Sequence, residues 1–248
     1  MARIVKEEDY AARRNQILDA AQRFVYIKGY EQMTIQDILD ELHISKGAFY
    51  HYFDSKGAVL EALVERMVVE EAMPLLIPIV QDSTLPALEK LNRYFSTAAG
   101  WKIAQKTLML ELLRVWLADE NAIVRQKLYA MSAKMVMPSL TQIIHQGIWE
   151  GVLTTPYPDQ VGEVVYSLLQ SLGDAFGELL LSYEGERADS RLEAILAAYT
   201  DALERVLGAP RASIVIIDEA TLKESFVSMR ENRLVHGEML SEGIGGSD

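Results

Sequence analysis

Apolar side chains recur three and four positions apart along most of this chain of 248 residues. That spacing places them on one face of an α-helix, whereas the alternation of apolar and polar residues that predicts a β-sheet never persists. Residues 213–217 (SIVII) could form one short strand, but no partner strand is evident. The pattern therefore predicts an all-α protein.

Three helices are predicted at the N-terminal end. The first covers residues 11–28 and ends at Gly29, because glycine readily adopts the left-handed conformation that stops a helix. The second begins beside Thr34, which can form a capping box with Asp37 three positions later. The third covers residues 46–53 and follows a serine that can cap it.

The second and third of these helices are short and joined by a tight turn, which is the arrangement of a helix-turn-helix. In such a motif the first helix rests on the DNA backbone and the second lies in the major groove. Phe49 and Phe53, four positions apart, can pack inward together. The residues then left facing outward are Lys46, Gly47, Tyr50 and His51.

The segment TIQDILDELHISKGAFYHYFDSKGAVLEAL resembles the DNA-binding domain of the TetR family of bacterial repressors. The resemblance covers about residues 10–66, and it rests on the capped short helix and on Tyr50, Phe53 and Lys56. It implies an N-terminal three-helix helix-turn-helix DNA-binding domain followed by a larger helical bundle for ligand binding and dimerisation. Beyond residue 66 the family is recognised by its helical architecture and not by a motif.

The resemblance also implies which residues contact DNA. Phosphate contacts are expected from Thr34, Tyr50 and Lys56, and base contacts from the first half of the third helix. Position 52, often histidine in the family, is Tyr52 here, while histidine stands one step earlier, so the roles of these two residues stay open. For Gln36 an exposed helical glutamine is as good an interpretation as a base contact. The candidate DNA-binding residues are Thr34, Gln36, Ser45, Lys46, Gly47, Ala48, Tyr50, His51, Tyr52 and Lys56.

The net charge of −12 is unusual for a protein that binds nucleic acid, because lysine and arginine supply most non-specific affinity. Residues 1–66 contain 9 basic and 11 acidic side chains, so the acid lies mostly in the other 182 residues, which carry −10. Specific contacts are therefore expected to contribute more than usual. With no cysteine, no signal peptide and no membrane span, the chain is expected to be cytoplasmic.

The chain divides into three predicted regions. Residues 1–55 form the helix-turn-helix domain, with a signature extending to about 66. Residues 56–208 form the effector-binding and dimerisation domain, and residues 209–248 form an extension that is partly helical and ends in a disordered tail. The predicted helices after residue 55 are 56–73, 85–99, 103–118, 121–150 kinked at Pro138, 159–183 and 188–207.

Dimerisation and ligand binding are expected in the larger domain. Helices 159–183 and 188–207 form a hairpin that can pair with a second copy, which suits a palindromic operator; the alternative is that their apolar faces complete a monomeric core. An apolar or aromatic effector is expected where aromatic, methionine and a few polar residues share a face, although the same pattern is typical of a core. The candidate effector residues are Trp101, Met109, Trp116, Met131, Met135, Gln142, His145, Trp149 and Tyr166.

A sequence-specific DNA-binding regulator is thus predicted, in the form of a homodimeric repressor that a small molecule releases from operator DNA. The alternative in the same class is a DNA-binding regulator, such as a nucleoid or cell-division factor, with no small-molecule effector. An enzyme is less favoured, because the chain lacks a phosphate-binding glycine loop, HExxH and a nucleophile elbow. No catalytic residue, cofactor or metal site is expected.

Overall fold

The computed structural model describes residues 2–105, 109–113, 122–181, 187–218 and 220–224, and within these ranges it contains helices and turns but no strand. The prediction of an all-α protein is confirmed, and residues 213–217 are irregular. Residues 109–113 and 220–224 are also helical. The longer helical elements of the described ranges are α1 (Ala2–Gln32), α2 (Ile35–Leu42), α3 (Lys46–Tyr50), α4 (Lys56–Met67), α5 (Met73–Gln81), α6 (Ala87–Ala104), α7 (Ala122–Trp149), α8 (Val161–Leu181) and α9 (Arg187–Leu207).

The first helix, α1, starts earlier than predicted, at Ala2 instead of residue 11. Gly29 interrupts it with a φ of 79°, so the predicted stop is confirmed. Helical spacing predicts that Ile17 and Ile27 share the buried face of this helix; Ile17 is fully buried, but Ile27 is 76% exposed. The prediction for Ile27 was wrong because the buried stripe of α1 continues through Val25, which lies on a different side of the helix.

Hydroxyl side chains begin the next three helices, as their spacing predicts. Thr34, Ser45 and Ser55 each accept the backbone N–H three residues further on, at distances of 3.2, 3.1 and 3.0 Å. Each cap satisfies one of the amides that a helix N-terminus leaves unpaired. These caps determine where α2, α3 and α4 start.

The third helix, α3, is shorter than predicted and ends at Tyr50 instead of Phe53. Residues 51–53 continue as a turn, in which the Phe53 amide still donates to the Phe49 carbonyl at 3.1 Å. This turn keeps both phenylalanines inward, so that Phe49 is fully buried and Phe53 is 4% exposed.

Pro74 and Pro78 predict that the fourth helix ends or bends near residue 73, and the structure shows that the helical conformation does not end there. The helical conformation continues through the π-helical turn Val68–Ala72 into α5. Pro74 lies in the first turn of α5, directly after the π-helical turn. Pro78 lies inside α5, which ends at Gln81.

The remaining helices agree closely with their predicted ranges. α6 extends to Ala104, five residues beyond its predicted end, and α7 continues through Pro138. α8 and α9 begin and end within two residues of the predicted 159–183 and 188–207. Residues 109–113 fall inside the predicted helix 103–118, whose other parts lie partly outside the described residues.

The segment after α9 packs back onto the larger helical region. Glu204 accepts hydrogen bonds from the amides of Ser213 and Ile214, at 2.9 and 3.2 Å. Asn92 of α6 donates to the Ser213 carbonyl and accepts from the Val215 amide, each at 2.9 Å. Residues 213–215 of the predicted C-terminal extension therefore pack on their own chain.

The chain divides into two compact units. One comprises the residues up to Glu71 together with Glu111–Met131, and the other comprises Ala72–Leu110 and the residues from Ser132 onward. The predicted domain boundaries at 55 and 208 remain a prediction. No helix in the described ranges is long and apolar enough to cross a membrane.

Candidate functional site

The outer face of α3 carries the residues predicted to read DNA. Lys46 and Gly47 are exposed, Tyr50 is 42% exposed, and Ala48 is half-buried. A Cβ added at Gly47 would meet only the Ser45 Oγ, at 3.9 Å, so this side of the helix is open. Because Phe49 and Phe53 are buried, α3 is anchored by one face and free on the other.

The exposed side chains of α3 are held by ring contacts. The Tyr50 ring lies edge-on to Phe49, with centroids 5.5 Å apart. The Lys46 ammonium lies 5.9 Å from the centroid of the Tyr50 ring, within the range of a cation–π contact. A positive charge and a hydroxyl-bearing ring are therefore presented side by side, which suits contact with a phosphate or a base edge.

Thr34 and Asp37 form the capping box that opens α2. The Thr34 hydroxyl and backbone N–H donate to Asp37 Oδ2 at 2.7 and 2.6 Å, and the Lys28 ammonium donates to the same oxygen at 2.6 Å. The hydrogen bonds from Lys28 and then Thr34 lower the pKa of Asp37 to about 2. The hydroxyl proton of Thr34 thus points to Asp37, and a phosphate contact from that hydroxyl requires it to turn outward.

The other candidate on α2, Gln36, is exposed and donates from Nε2 to Asp40 Oδ1 at 2.7 Å. This hydrogen bond lies along the surface of α2 and uses one of the two amide protons. The second proton and the side-chain oxygen of Gln36 are not used in that bond. The base contact therefore stays a prediction.

Lys56 at the start of α4 is directed toward the end of α1. Its ammonium donates to the Glu31 carbonyl at 3.0 Å and lies 4.2 Å from the centroid of the Tyr30 ring. Burial lowers the pKa of Lys56, and the neighbouring Glu31 and Asp37 oppose that shift. The half-buried ammonium keeps two further N–H donors, so its phosphate contact remains a prediction.

His51 and Tyr52 follow α3 and contact a residue that the sequence did not single out. Tyr10 of α1 packs against both rings, 5.7 Å from His51 and 4.7 Å from Tyr52 between centroids. His51 is exposed and Tyr52 is half-buried. Neither a motif nor the helical spacing links residues that lie more than 40 positions apart, so the sequence carried no signal for this contact.

Two arginines of the first unit form hydrogen bonds and ion pairs with side chains of the same unit. Arg66 of α4 donates to Asp19 at 2.7 Å and to Gln22 at 2.9 Å on α1. Arg23 forms an ion pair with Glu41. These arginines connect α1 with α2 and α4, and they support α3 indirectly by fixing the helices beside it.

The candidate effector residues do not share one environment. Trp116 lies outside the described residues. Tyr166 is buried, whereas Gln142 and His145 are exposed and Trp149 is 86% exposed. The other four are half-buried: Trp101, Met109, Met131 and Met135.

The sequence predicts a stripe on this helix that Gln142 and His145 interrupt and that Trp149 continues, but all three residues lie on the outer face of α7. The buried positions of this part of α7 are Leu140, Ile143 and Ile144, so the inward face is rotated away from Gln142 and His145. An open groove of about 690 Å³ follows this outer face and includes both of these residues. It is a surface groove and not an enclosed pocket.

Helical spacing predicts an apolar stripe along α8 that was considered for dimerisation, made of Val161, Val165, Leu168, Leu172, Phe176 and Leu179. Four of these residues, Val161, Val165, Leu172 and Leu179, are at most 4% exposed within the single chain, whereas Leu168 and Phe176 are half-buried. The four buried side chains belong to the core of their own chain, and dimerisation through this hairpin stays a prediction. A dimer through this hairpin would therefore use its outer face, where a Cβ at Gly173 would meet nothing within 4 Å.

The sequence matches to known proteins cover short stretches of the chain, and the family model covers the helix-turn-helix. Residues 17–63 match the family model described as bacterial regulatory proteins, tetR family. An uncharacterised HTH-type transcriptional regulator of Lactococcus lactis is 44% identical over 55 residues, which are 22% of this chain and 28% of the relative. An HTH-type transcriptional repressor of Mycobacterium tuberculosis is 37% identical over 82 residues, 32% of this chain and 44% of the relative. The chain thus spans less than half the length of these curated relatives.

Solved structures resemble the chain over a greater length. A TetR-family transcriptional regulator from Pectobacterium atrosepticum has a TM-score of 0.51 and 19% identity over 82% of this chain and 98% of its own. One from Mesorhizobium loti has a TM-score of 0.52 and 17% identity over 79% of this chain and 97% of its own. At these identities the likeness concerns the fold. The relatives and structures named here are transcriptional regulators and not enzymes.

Proposed function

We propose that this chain is a transcriptional regulator of the TetR family, as the match over residues 17–63 supports, and that it acts by inserting α3 into the major groove of operator DNA. The observation that carries this proposal is the division of α3 into a buried and an exposed face. Phe49 is fully buried, while Lys46, Gly47 and Tyr50 are presented outward on a capped helix. Such a helix can enter a groove without disturbing its own support.

The protein acts as a homodimer in this proposal. A helix-turn-helix dimer binds two half-sites about 34–36 Å apart, one turn of the duplex. The outer face of the α8–α9 hairpin is the surface proposed for pairing, since most of its inner stripe is already buried. Binding to chromosomal DNA places the protein in the cytoplasm.

DNA binding is tested on operator sequences that the unaltered protein selects from random duplexes. Tyr50→Ala and Lys46→Ala should each strongly weaken retention in a gel, with an unchanged thermal melt by circular dichroism. Tyr157→Ala is the control, because Tyr157 is 67% exposed but belongs to the other compact unit. Full retention by Tyr50→Ala and Lys46→Ala would refute the role of α3.

The phosphate contact of Lys56 has a separate signature. Lys56→Met keeps the aliphatic stem against Tyr30 and removes the charge. If the ammonium neutralises a phosphate, all duplexes should bind more weakly and the log–log salt slope should fall by about one unit. An unchanged slope would show that Lys56 serves only the contact with the Glu31 carbonyl.

We propose further that a small apolar or aromatic effector binds the larger unit and releases the protein, a repressor, from DNA. The family resemblance and the half-buried methionines and tryptophan support this part. A regulator with no small-molecule effector is the second candidate, favoured by the exposure of Gln142, His145 and Trp149. A panel of aromatic compounds separates the two: an effector should raise the melting temperature with concentration and release operator DNA, whereas neither change is expected without one.

A further inference from the structure

Three aromatic rings join the first helix of the chain to the end of α3. Tyr10 and Tyr52 are 4.7 Å apart between centroids with planes inclined by 37°. His51 lies edge-on to both, 5.7 Å from Tyr10 at 83° and 5.1 Å from Tyr52 at 79°. All three separations lie in the range of stabilising aromatic pairs. We refer to Tyr10, His51 and Tyr52 as the aromatic cluster.

The aromatic cluster lies outside the hydrophobic core. Tyr10 is 40% exposed and His51 is exposed, and only Tyr52 is half-buried. Residues 8–13 of α1 are all exposed, and the first buried side chain of those described in α1 is Ile17, about two helical turns after Tyr10. The contacts of Tyr10 therefore contribute to the order of a surface more than to the burial of apolar area.

That surface is continuous with the outer face of α3. His51 directly follows Tyr50 and is the C-terminal cap residue of α3, a helix of five residues. Beyond it the chain forms a turn, so helical hydrogen bonds alone leave the rings of positions 51 and 52 weakly fixed. Tyr10 approaches both rings from α1 and restricts how they can turn.

We propose that Tyr10 is a positioning residue for DNA recognition, which holds His51 and Tyr52 in the orientation in which the end of α3 meets the duplex. The inference rests on the proposed function. Tyr10 lies before the segment matched by the family model, residues 17–63. It also gives a physical role to the departure at position 52, because Tyr52 is the ring nearest to Tyr10.

The test compares variants of the full chain on a duplex that the unaltered protein selects from a random pool. Tyr10→Ala should weaken binding about tenfold, or ~1.4 kcal/mol, with an unchanged thermal melt. Tyr10→Phe should bind within about twofold of the unaltered protein, because the ring is kept and the Tyr10 hydroxyl makes no hydrogen bond among those of the described residues. Tyr26→Ala is the control, since Tyr26 lies on the same helix and is 37% exposed.

A positioning role also predicts a result in a second background. In a chain that already carries His51→Ala and Tyr52→Ala, the further change Tyr10→Ala should cost less than about twofold, since Tyr10 acts only through those rings. An undiminished tenfold loss in that background would overturn the inference, as would a Tyr10→Phe variant as weak as Tyr10→Ala, because both indicate direct contact with DNA. Equal binding by Tyr10→Ala and Tyr26→Ala would overturn it too. If the unaltered protein selects no sequence, the proposed function fails instead.

Discussion

Replacing Asp37 by alanine should destabilise the first compact unit, because one carboxylate oxygen accepts three hydrogen bonds there. Asp37 Oδ2 accepts from the Lys28 ammonium and from the backbone N–H and hydroxyl of Thr34, all within 2.7 Å. Lowering the pKa from 3.8 to about 2 corresponds to roughly 2 kcal/mol, at about 1.4 kcal/mol per pKa unit. This is an upper limit, since a quarter of the Asp37 side chain remains exposed. We expect a loss of about 1–2 kcal/mol, in the range measured for helix caps.

Urea unfolding followed by circular dichroism measures this loss, with Asp40→Ala as the control. Asp40 lies on the same helix and, within the part of the chain that the structure describes, accepts only the Gln36 hydrogen bond, so its removal should cost less than about 0.5 kcal/mol. Since folding lowers the pKa of Asp37, its stabilisation is complete above about pH 4 and disappears as the pH falls toward 2. The difference between the unaltered protein and Asp37→Ala should therefore shrink over that interval. A difference that is independent of pH, or equal to that of Asp40→Ala, would refute the reasoning.

Two further changes probe the larger unit. Gly208→Ala should lower the free energy of unfolding in urea by about 1–3 kcal/mol more than Gly151→Ala does. Both glycines have a positive φ. A Cβ at Gly208 would lie 2.1 Å from the Thr154 carbonyl oxygen, whereas a Cβ at Gly151 would meet nothing within 4 Å. Equal losses in the free energy of unfolding would show that the backbone at Thr154 moves aside at little cost. Asn92→Ala should speed hydrogen exchange at the Val215 amide, because that amide donates to the Asn92 side chain. Exchange within α9 should stay slow. Unchanged exchange at the Val215 amide would mean that Asn92 does not hold this segment.

Local chemistry made the start of the N-terminal helices predictable. A hydroxyl accepts the amide three positions later, so Thr34 and Ser45 give the beginnings of α2 and α3 directly. Their ends were harder, because a helix end depends on what its last turn packs against. The α3 helix stops at Tyr50 although the residues to Phe53 are compatible with a helix. The candidate DNA-contacting residues of α3 could nevertheless be named, since burial of Phe49 leaves only one face outward.

The interior of the larger unit was less predictable from spacing alone. Periodicity indicates that a helix has two faces, but it does not say which apolar side chains meet a neighbouring helix. On α7 the spacing places Met131, Met135, Gln142, His145 and Trp149 on one stripe, but near Gln142 the buried side chains are Leu140, Ile143 and Ile144. The contact between Asn92 and Ser213 spans 121 positions and depends on the tertiary structure. Pairings of this kind leave no local pattern in the sequence.

The charge of the first unit gains a physical explanation from the structure. Arg23, Lys28 and Arg66 are ion-paired with carboxylates of α1 and α2, and the Lys56 ammonium is bonded to a backbone carbonyl. These cations stabilise the helices around α3, so they are only partly available to neutralise phosphates. Lys46 differs, because its exposed ammonium has a tyrosine ring as its described contact. If the protein binds DNA as proposed, a unit built in this way gains little from non-specific attraction, and its affinity should come mainly from the side chains that α3 presents.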